Sequence, residues 1–144
     1  MIIHQKKLSL KGSLLTAGLL CSFASIAAEP AAISAEQAFS ESLAISELKL
    51  DKALLTQKFD IAQGETLANT RCIACHSSAM LTNMPTYPSL MGQKTAYLFK
   101  QLIEFKRGVR TNPIMQAQAG MLSEAEMKNV AYYYSQQAPL KLVK

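Results

Sequence analysis

Histidine and cysteine are scarce in this 144-residue chain, which has two of the first and three of the second. The histidines are His4 and His76; the cysteines are Cys21, Cys72 and Cys75. No Cys or His follows position 76, so a closed zinc site built on Cys72, Cys75 and His76 has no fourth donor. The strand-helix-strand context of a thioredoxin-like redox pair is also missing around Cys72 and Cys75. Basic runs interleaved with aromatics are absent, which leaves no phosphate-tracking surface and argues against nucleic acid as a partner.

What is present begins with an export pattern. Lys6, Lys7 and Lys11 precede an apolar stretch from Leu14 to Ile26, and small residues follow at Ala27 and Ala28. This predicts a signal peptide over 1–28, cleaved after Ala27 or Ala28, and a periplasmic location. The stretch is shorter than the roughly 20 residues of a bilayer crossing, so an uncleaved anchor is the lesser reading and no stable membrane insertion is expected after cleavage. Cys21 leaves with the signal, and Cys72 and Cys75 become the only thiols. The three signal lysines also inflate the formal charge of +5: from Glu29 onward the chain has 12 basic and 10 acidic residues, about +2. Residues 29–57 carry −3 and residues 58–144 carry +5.

Behind an export signal, Cys72-Ile73-Ala74-Cys75-His76 has the C-x-x-C-H spacing of covalent c-type haem attachment. On a helix, Cys72 and Cys75 at i and i+3 project from one face, where two thiols add across the two vinyl groups of one porphyrin. His76, four residues after Cys72, places an imidazole nitrogen toward the iron. One haem c with its iron is therefore the expected cofactor.

The surrounding pattern is helical. Residues 29–57 form an Ala-, Ser- and Glu-rich extension or linker, with Phe39, Leu43, Leu48, Leu50 and Leu54 in imperfect helical spacing. It is expected to pack on the haem domain, dock a partner or act as a spacer. A domain over 58–138 follows, with a tail at 139–144. Asp60 caps a helix running toward Cys72. Residues 77–92 lack either period and read as a loop. Thr95–Lys106 carries Leu98, Leu102 and Phe105 on one stripe and stops at Gly108. Ser123 and Glu126 form a capping box for a last helix bearing Met127, Val130, Ala131 and Tyr134. The expected fold is all-α: three main helices, with loops wrapped around the haem.

The sixth ligand is restricted by composition. With His4 in the signal, bis-histidine ligation is excluded from the cleaved chain, and the soft candidates are Met80, Met84, Met91, Met115, Met121 and Met127.

Taken with Pro88-Ser89-Leu90-Met91-Gly92-Gln93, Tyr97-Leu98, Gln101-Leu102, Phe105, Gly108, Arg110, Met115, Leu122-Ser123 and Ala131-Tyr132-Tyr133, the motif resembles the class I cytochromes c. Within that class the chain is most similar to monohaem c553 proteins and to one half of a dihaem cytochrome c4. It departs from them in Ser77-Ser78-Ala79-Met80, where the family often has a glycine-bearing turn, and in having a single C-x-x-C-H. The resemblance implies Met115 as distal ligand opposite His76, with Met121 the runner-up. It further implies that the Pro88 carbonyl accepts a hydrogen bond from the proximal imidazole, and that Gly64 and Tyr132 lie where the first and last helices cross.

A His/Met pair leaves no open coordination position and favours Fe(II), which implies a one-electron carrier rather than an enzyme. Partners are then transient redox proteins. Lys94, Lys100, Lys106, Arg107 and Arg110 read either as a positive rim for an acidic docking face or as a solvated helix face. Two rival readings are a haem subunit of a larger oxidoreductase, docked through 29–57, and a ligand-binding or peroxidase-like protein lacking the Met115 bond.

Overall fold

The structure, a computed structural model, describes residues 32–84 and 86–140. The expected signal over 1–28 and residues 141–144 of the expected tail lie outside the described residues. All regular structure among the described residues is helical. The elements are α1 (Ala35–Ala44), α2 (Lys52–Thr56), α3 (Ile61–Leu67), a π-helical turn (Ala68–Cys72), α4 (Ile73–His76), α5 (Ser78–Asn83), α6 (Thr95–Lys106), α7 (Pro113–Gly120) and α8 (Glu124–Ser135).

The three expected helices are α3, α6 and α8, and each starts or stops on a legible signal. The Asp60 side chain accepts from Gln63 N at 2.9 Å. Ser123 and Glu126 close the capping box reciprocally, satisfying two donors that a helix N-terminus otherwise leaves free. Gly108 lies one residue beyond the Arg107 cap at φ +72°, a left-handed conformation costly for a side chain with a Cβ.

Three helices is nonetheless too few. The stretch expected as loop over 77–92 contains α5, capped where the Ser77 hydroxyl accepts from Met80 N. Met115 lies outside the three expected helices, in α7, where the Asn112 side chain accepts from Met115 N at 3.0 Å and Pro113 occupies the first turn. The helix leading to Cys72 is not one α-helix, because a π turn separates α3 from α4.

α3 crosses close over α8 at Gly64. A Cβ built on Gly64 falls within contact distance of the Asn129 carbonyl oxygen, 2.8 Å from its carbon and 3.0 Å from Tyr133 Cβ. Tyr132, the aromatic expected at this crossing, instead stacks on Phe59 with ring centroids 4.0 Å apart and planes 9° apart. A one-residue step turns a helix by about 100°, so Tyr132 and Tyr133 cannot share a face.

Between these helices Phe99, Ile103 and Met127 are fully buried. The extension contributes to the same cluster: Phe39, Leu43 and Leu54 are buried, and Phe39 meets Phe59 and Phe99 edge to face at 5.5 and 5.2 Å.

Candidate functional site

A cavity of about 270 Å³ opens between the π turn, α4, the 86–93 segment, α6, α7 and α8. Cys72, Cys75 and His76 line it, and so does Met115 from α7. Its remaining wall is mostly apolar, with Leu90, Leu98, Leu102, Phe105, Leu122 and Val130 among the lining residues.

His76 is buried and held by its second nitrogen, Nδ1 lying 2.9 Å from the Pro88 carbonyl oxygen. A carbonyl only accepts, so Nδ1 carries the proton and Nε2 is left with its lone pair, the form an imidazole needs in order to ligate a metal. Tyr87, next to Pro88, lies with its ring centroid 6.1 Å from the imidazole, tilted by 57°. The 87–88 segment thus fixes the tautomer through one residue and confines the ring through the other.

Both thiols are partly buried. Burial pushes the Cys72 thiol up from its ordinary value, and the Tyr134 hydroxyl and the Arg71 guanidinium oppose this only in part. Burial also raises Tyr134, with Cys72 adding to the effect. Cys72 is therefore held as neutral thiol against a buried phenol, in an apolar wall rather than a charged pocket.

Of the methionine candidates, Met115 lines this cavity, whereas Met121 is 56% exposed with its sulfur 3.6 Å from Arg71 Nη1. Met127 is fully buried in the core, and Met91 packs against that core.

Sequence reading missed several residues of the wall, including Tyr87, Tyr134, Gln93, Arg71 and Gln118. Tyr134 carried a signal, since it stands four and three residues from Val130 and Ala131 on the same helix face. Gln93 stood in the Pro88–Gln93 string of the family resemblance, though with no role attached, whereas Tyr87, Arg71 and Gln118 carried no signal.

The residues present fit a haem. Two thiols, one imidazole with a free Nε2 and one thioether converge on a single apolar-walled space. Among the described residues no three His, Cys, Asp or Glu side chains converge to bind a bare metal ion.

The five basic residues expected as a rim are mostly engaged within the chain. Lys100 pairs with Glu104, Arg107 with Glu124 at 3.0 Å, Lys106 donates to the Leu122 carbonyl, and Arg110 donates to Gln101 and lies over Phe105 at 4.7 Å.

The cytochrome c family model matches residues 61–137. The chain is 37% identical over 86 residues to cytochrome c4 of Thiocapsa roseopersicina, covering 60% of this chain and 44% of that protein. It is 41% identical over 76 residues to the thiosulfate dehydrogenase electron acceptor of Stutzerimonas stutzeri, covering 52% of this chain and 35% of that one. With cytochrome c-552 of Acidithiobacillus ferridurans it shares 39% identity over 64 residues, 44% of this chain and 27% of the relative. The chain thus spans less than half the length of the curated relatives it matches.

Proposed function

The chain belongs to the cytochrome c family, with haem c as its cofactor, and from that premise we propose that it is a periplasmic monohaem electron carrier ligated by His76 and Met115. The observation that carries this reading is the convergence of Cys72, Cys75, His76 and Met115 on one apolar-walled cavity. When bound, the haem iron supplies a centre that gains and loses one electron.

The chain's own residues do the rest. Cys72 and Cys75 anchor the group by two sulfur links. The Pro88 carbonyl holds the proton on His76 Nδ1 and keeps Nε2 aimed at the ligand position. Met115 offers a soft thioether that favours the reduced state, and the leucine, valine and phenylalanine wall excludes water, which keeps reorganisation on electron transfer small.

Export by the 1–28 signal fits covalent attachment at C-x-x-C-H. A relative named as the electron acceptor of a dehydrogenase supports the same class of partner here, a redox enzyme met transiently. An acidic docking face on that partner rests on Lys94 and on whatever charge the internally engaged cations still project. The one C-x-x-C-H of this sequence supports a finer reading beside monohaem c553 proteins or a single c4-like domain.

The test is the visible and near-infrared spectrum of the exported protein beside Met115→Ala. The wild type is expected to show a methionine–iron band and to resist carbon monoxide when reduced, and the variant to lose the band and take up carbon monoxide. Rapid carbon monoxide uptake by the wild type at neutral pH defeats the carrier reading in favour of a ligand-binding one.

A further inference from the structure

Lys128 is 1% exposed, an unusual place for a lysine, and the residues that receive it belong mainly to the N-terminal extension. Its Nζ donates to the carbonyls of Leu54 at 2.8 Å, Leu55 at 3.4 Å and Gln57. An ammonium has three donors, and here three carbonyls at the end of α2 accept them; a neutral amine has only two. The Phe59 and Phe39 rings lie 4.7 and 5.2 Å from the nitrogen, close enough for both to stabilise a cation through their faces.

This geometry favours the charged form against burial, which pulls the group below its ordinary value; the Glu36 carboxylate acts the other way. Among the described residues no carboxylate lies within ion-pair distance of Nζ. The charge is thus met chiefly by dipoles and ring faces, with the Glu36 carboxylate offsetting its field only in part, from beyond ion-pair distance.

Its position relative to the cavity follows from α8. Val130, Ala131 and Tyr134 line the cavity; around the helix Lys128 lies about 160° from Val130 and about 120° from Tyr134, but only about 60° from Ala131. A helix with its side chains is about 10–12 Å across, so the ammonium stands on the order of 12 Å from the cavity, to one side of α8. Two further contacts seat the extension over that side. Glu36 Oε1 accepts from Phe59 N at 3.4 Å, and Arg107 Nη2 donates to the Lys49 carbonyl at 3.0 Å.

We propose that Lys128 and residues 32–57 form a redox-tuning element, in which the extension holds a buried positive charge on α8, with no carboxylate in ion-pair contact, whose field favours the reduced haem. The proposal rests on the haem-carrier reading above. Electrostatically, oxidation adds a positive charge at the iron, and a fixed cation in a low-dielectric interior opposes it. At an effective dielectric of about 20, one charge about 12 Å away changes the ferrous-to-ferric ratio about tenfold, which is about 59 mV for a one-electron couple. The extension is accordingly a cover for this charge, with Phe39, Leu43 and Leu54 turned inward and Ile33 and Ile45 left exposed.

The experiment is a redox titration of the full exported chain as wild type, Lys128→Met, Lys128→Arg and Phe39→Ala, with Lys52→Met as an exposed-lysine control. Lys128→Met is expected to lower the ferrous-to-ferric ratio at fixed ambient potential about tenfold and to keep the methionine–iron band, while Lys128→Arg and Lys52→Met stay near wild type. Phe39→Ala, which opens the cover and admits water to the ammonium, is expected to shift the same way by less, and it carries the test if Lys128→Met does not fold. A lower melting temperature in Lys128→Met or Phe39→Ala with an unmoved potential overturns the proposal and leaves Lys128 a structural clasp. Failure of the carrier reading appears elsewhere, as carbon monoxide uptake by the wild type, and the potentials of the variants still decide the role of Lys128.

Discussion

Replacing Gly64 with alanine sets two effects of known sign against each other. Alanine is better than glycine inside a helix by roughly 1 kcal/mol, so α3 alone gains. Its Cβ, however, meets the Asn129 backbone, with the carbonyl carbon at 2.8 Å and the oxygen nearer still, and Tyr133 Cβ at 3.0 Å. Ordinary van der Waals separation is about 3.5–4.0 Å. Backbone inside α8 cannot swing aside as a side-chain tip would, so the two helices must part. Overpacking of this kind costs about 1–3 kcal/mol, occasionally more, and a Cβ less than 3 Å from rigid helix backbone puts this case in the upper part of that range. A net loss of about 1–2 kcal/mol lowers the melting temperature by about 4–12 °C for a domain of this size. The assay is thermal unfolding of the haem-loaded protein followed by far-ultraviolet circular dichroism. Gly120→Ala is the control: the glycine is helical, and a Cβ there has no neighbour within 4 Å, so the same chemistry is expected to be neutral or slightly stabilising. A Gly64→Ala melting temperature at or above wild type refutes the reasoning, since it means that helix propensity outweighs the crossing.

Three other outcomes are expected. Backbone and side-chain hydrogen bonds from Ser123 hold the Glu126 carboxyl below its ordinary value, so its stabilisation is complete above about pH 4.5 and is lost as the pH falls through the folded-state value; Glu126→Gln should flatten the acid limb of a stability–pH curve. Asn112→Ala removes the acceptor of Met115 N and should cost about 1 kcal/mol, read as a lower melting temperature together with faster carbon monoxide uptake by the reduced protein. Deleting Asn69, an exposed residue of the π turn, should convert that turn to α and turn Cys72–His76 by about 100°, read as loss of covalently bound haem by mass spectrometry while far-ultraviolet helicity persists.

Features that could be read from the sequence were those fixed by neighbours in the chain. Asp60, Ser123 with Glu126, and Gly108 act within one turn of where they stand, and each begins or ends its helix as its chemistry requires. The C-x-x-C-H spacing is local in the same sense. Two short helices were hidden for a related reason: α5 and α7 hold six and eight residues, too few to display an apolar stripe, although Ser77 and Asn112-Pro113 already marked their starts. What escaped entirely depends on partners distant in sequence. Nothing at position 128 announces that the carbonyls of 54, 55 and 57 will surround it. Nor does the string Tyr132-Tyr133 tell which ring faces Phe59 and which backs the Gly64 crossing, because that assignment turns on a rotation of about one residue.

The π turn shows how such a rotation links packing to chemistry. Gly64, Leu67 and Ala68 are buried, with Gly64 set against α8, whereas Cys72, Cys75 and His76 must face the cavity, and both demands fall on one continuous run of chain. On an uninterrupted α-helix Cys72 would stand about 80° from Gly64 in one direction, and His76 further round still. One extra residue in the turn sets everything beyond it back by about 100°, so that Cys72 falls about 20° to one side of Gly64 and His76 about 20° to the other. The weak contact of Cys72 Sγ with the Leu67 carbonyl, 3.8 Å away and five residues back, reflects the same widened register. The widened turn therefore brings the attachment residues round to nearly the face that Gly64 presents, so that one side of the run carries the close crossing with α8 and, further along, the residues facing the cavity that α8 also lines. A disturbance at Gly64 is for that reason expected to reach Cys72 and His76 through the turn as well as through the stability of the fold.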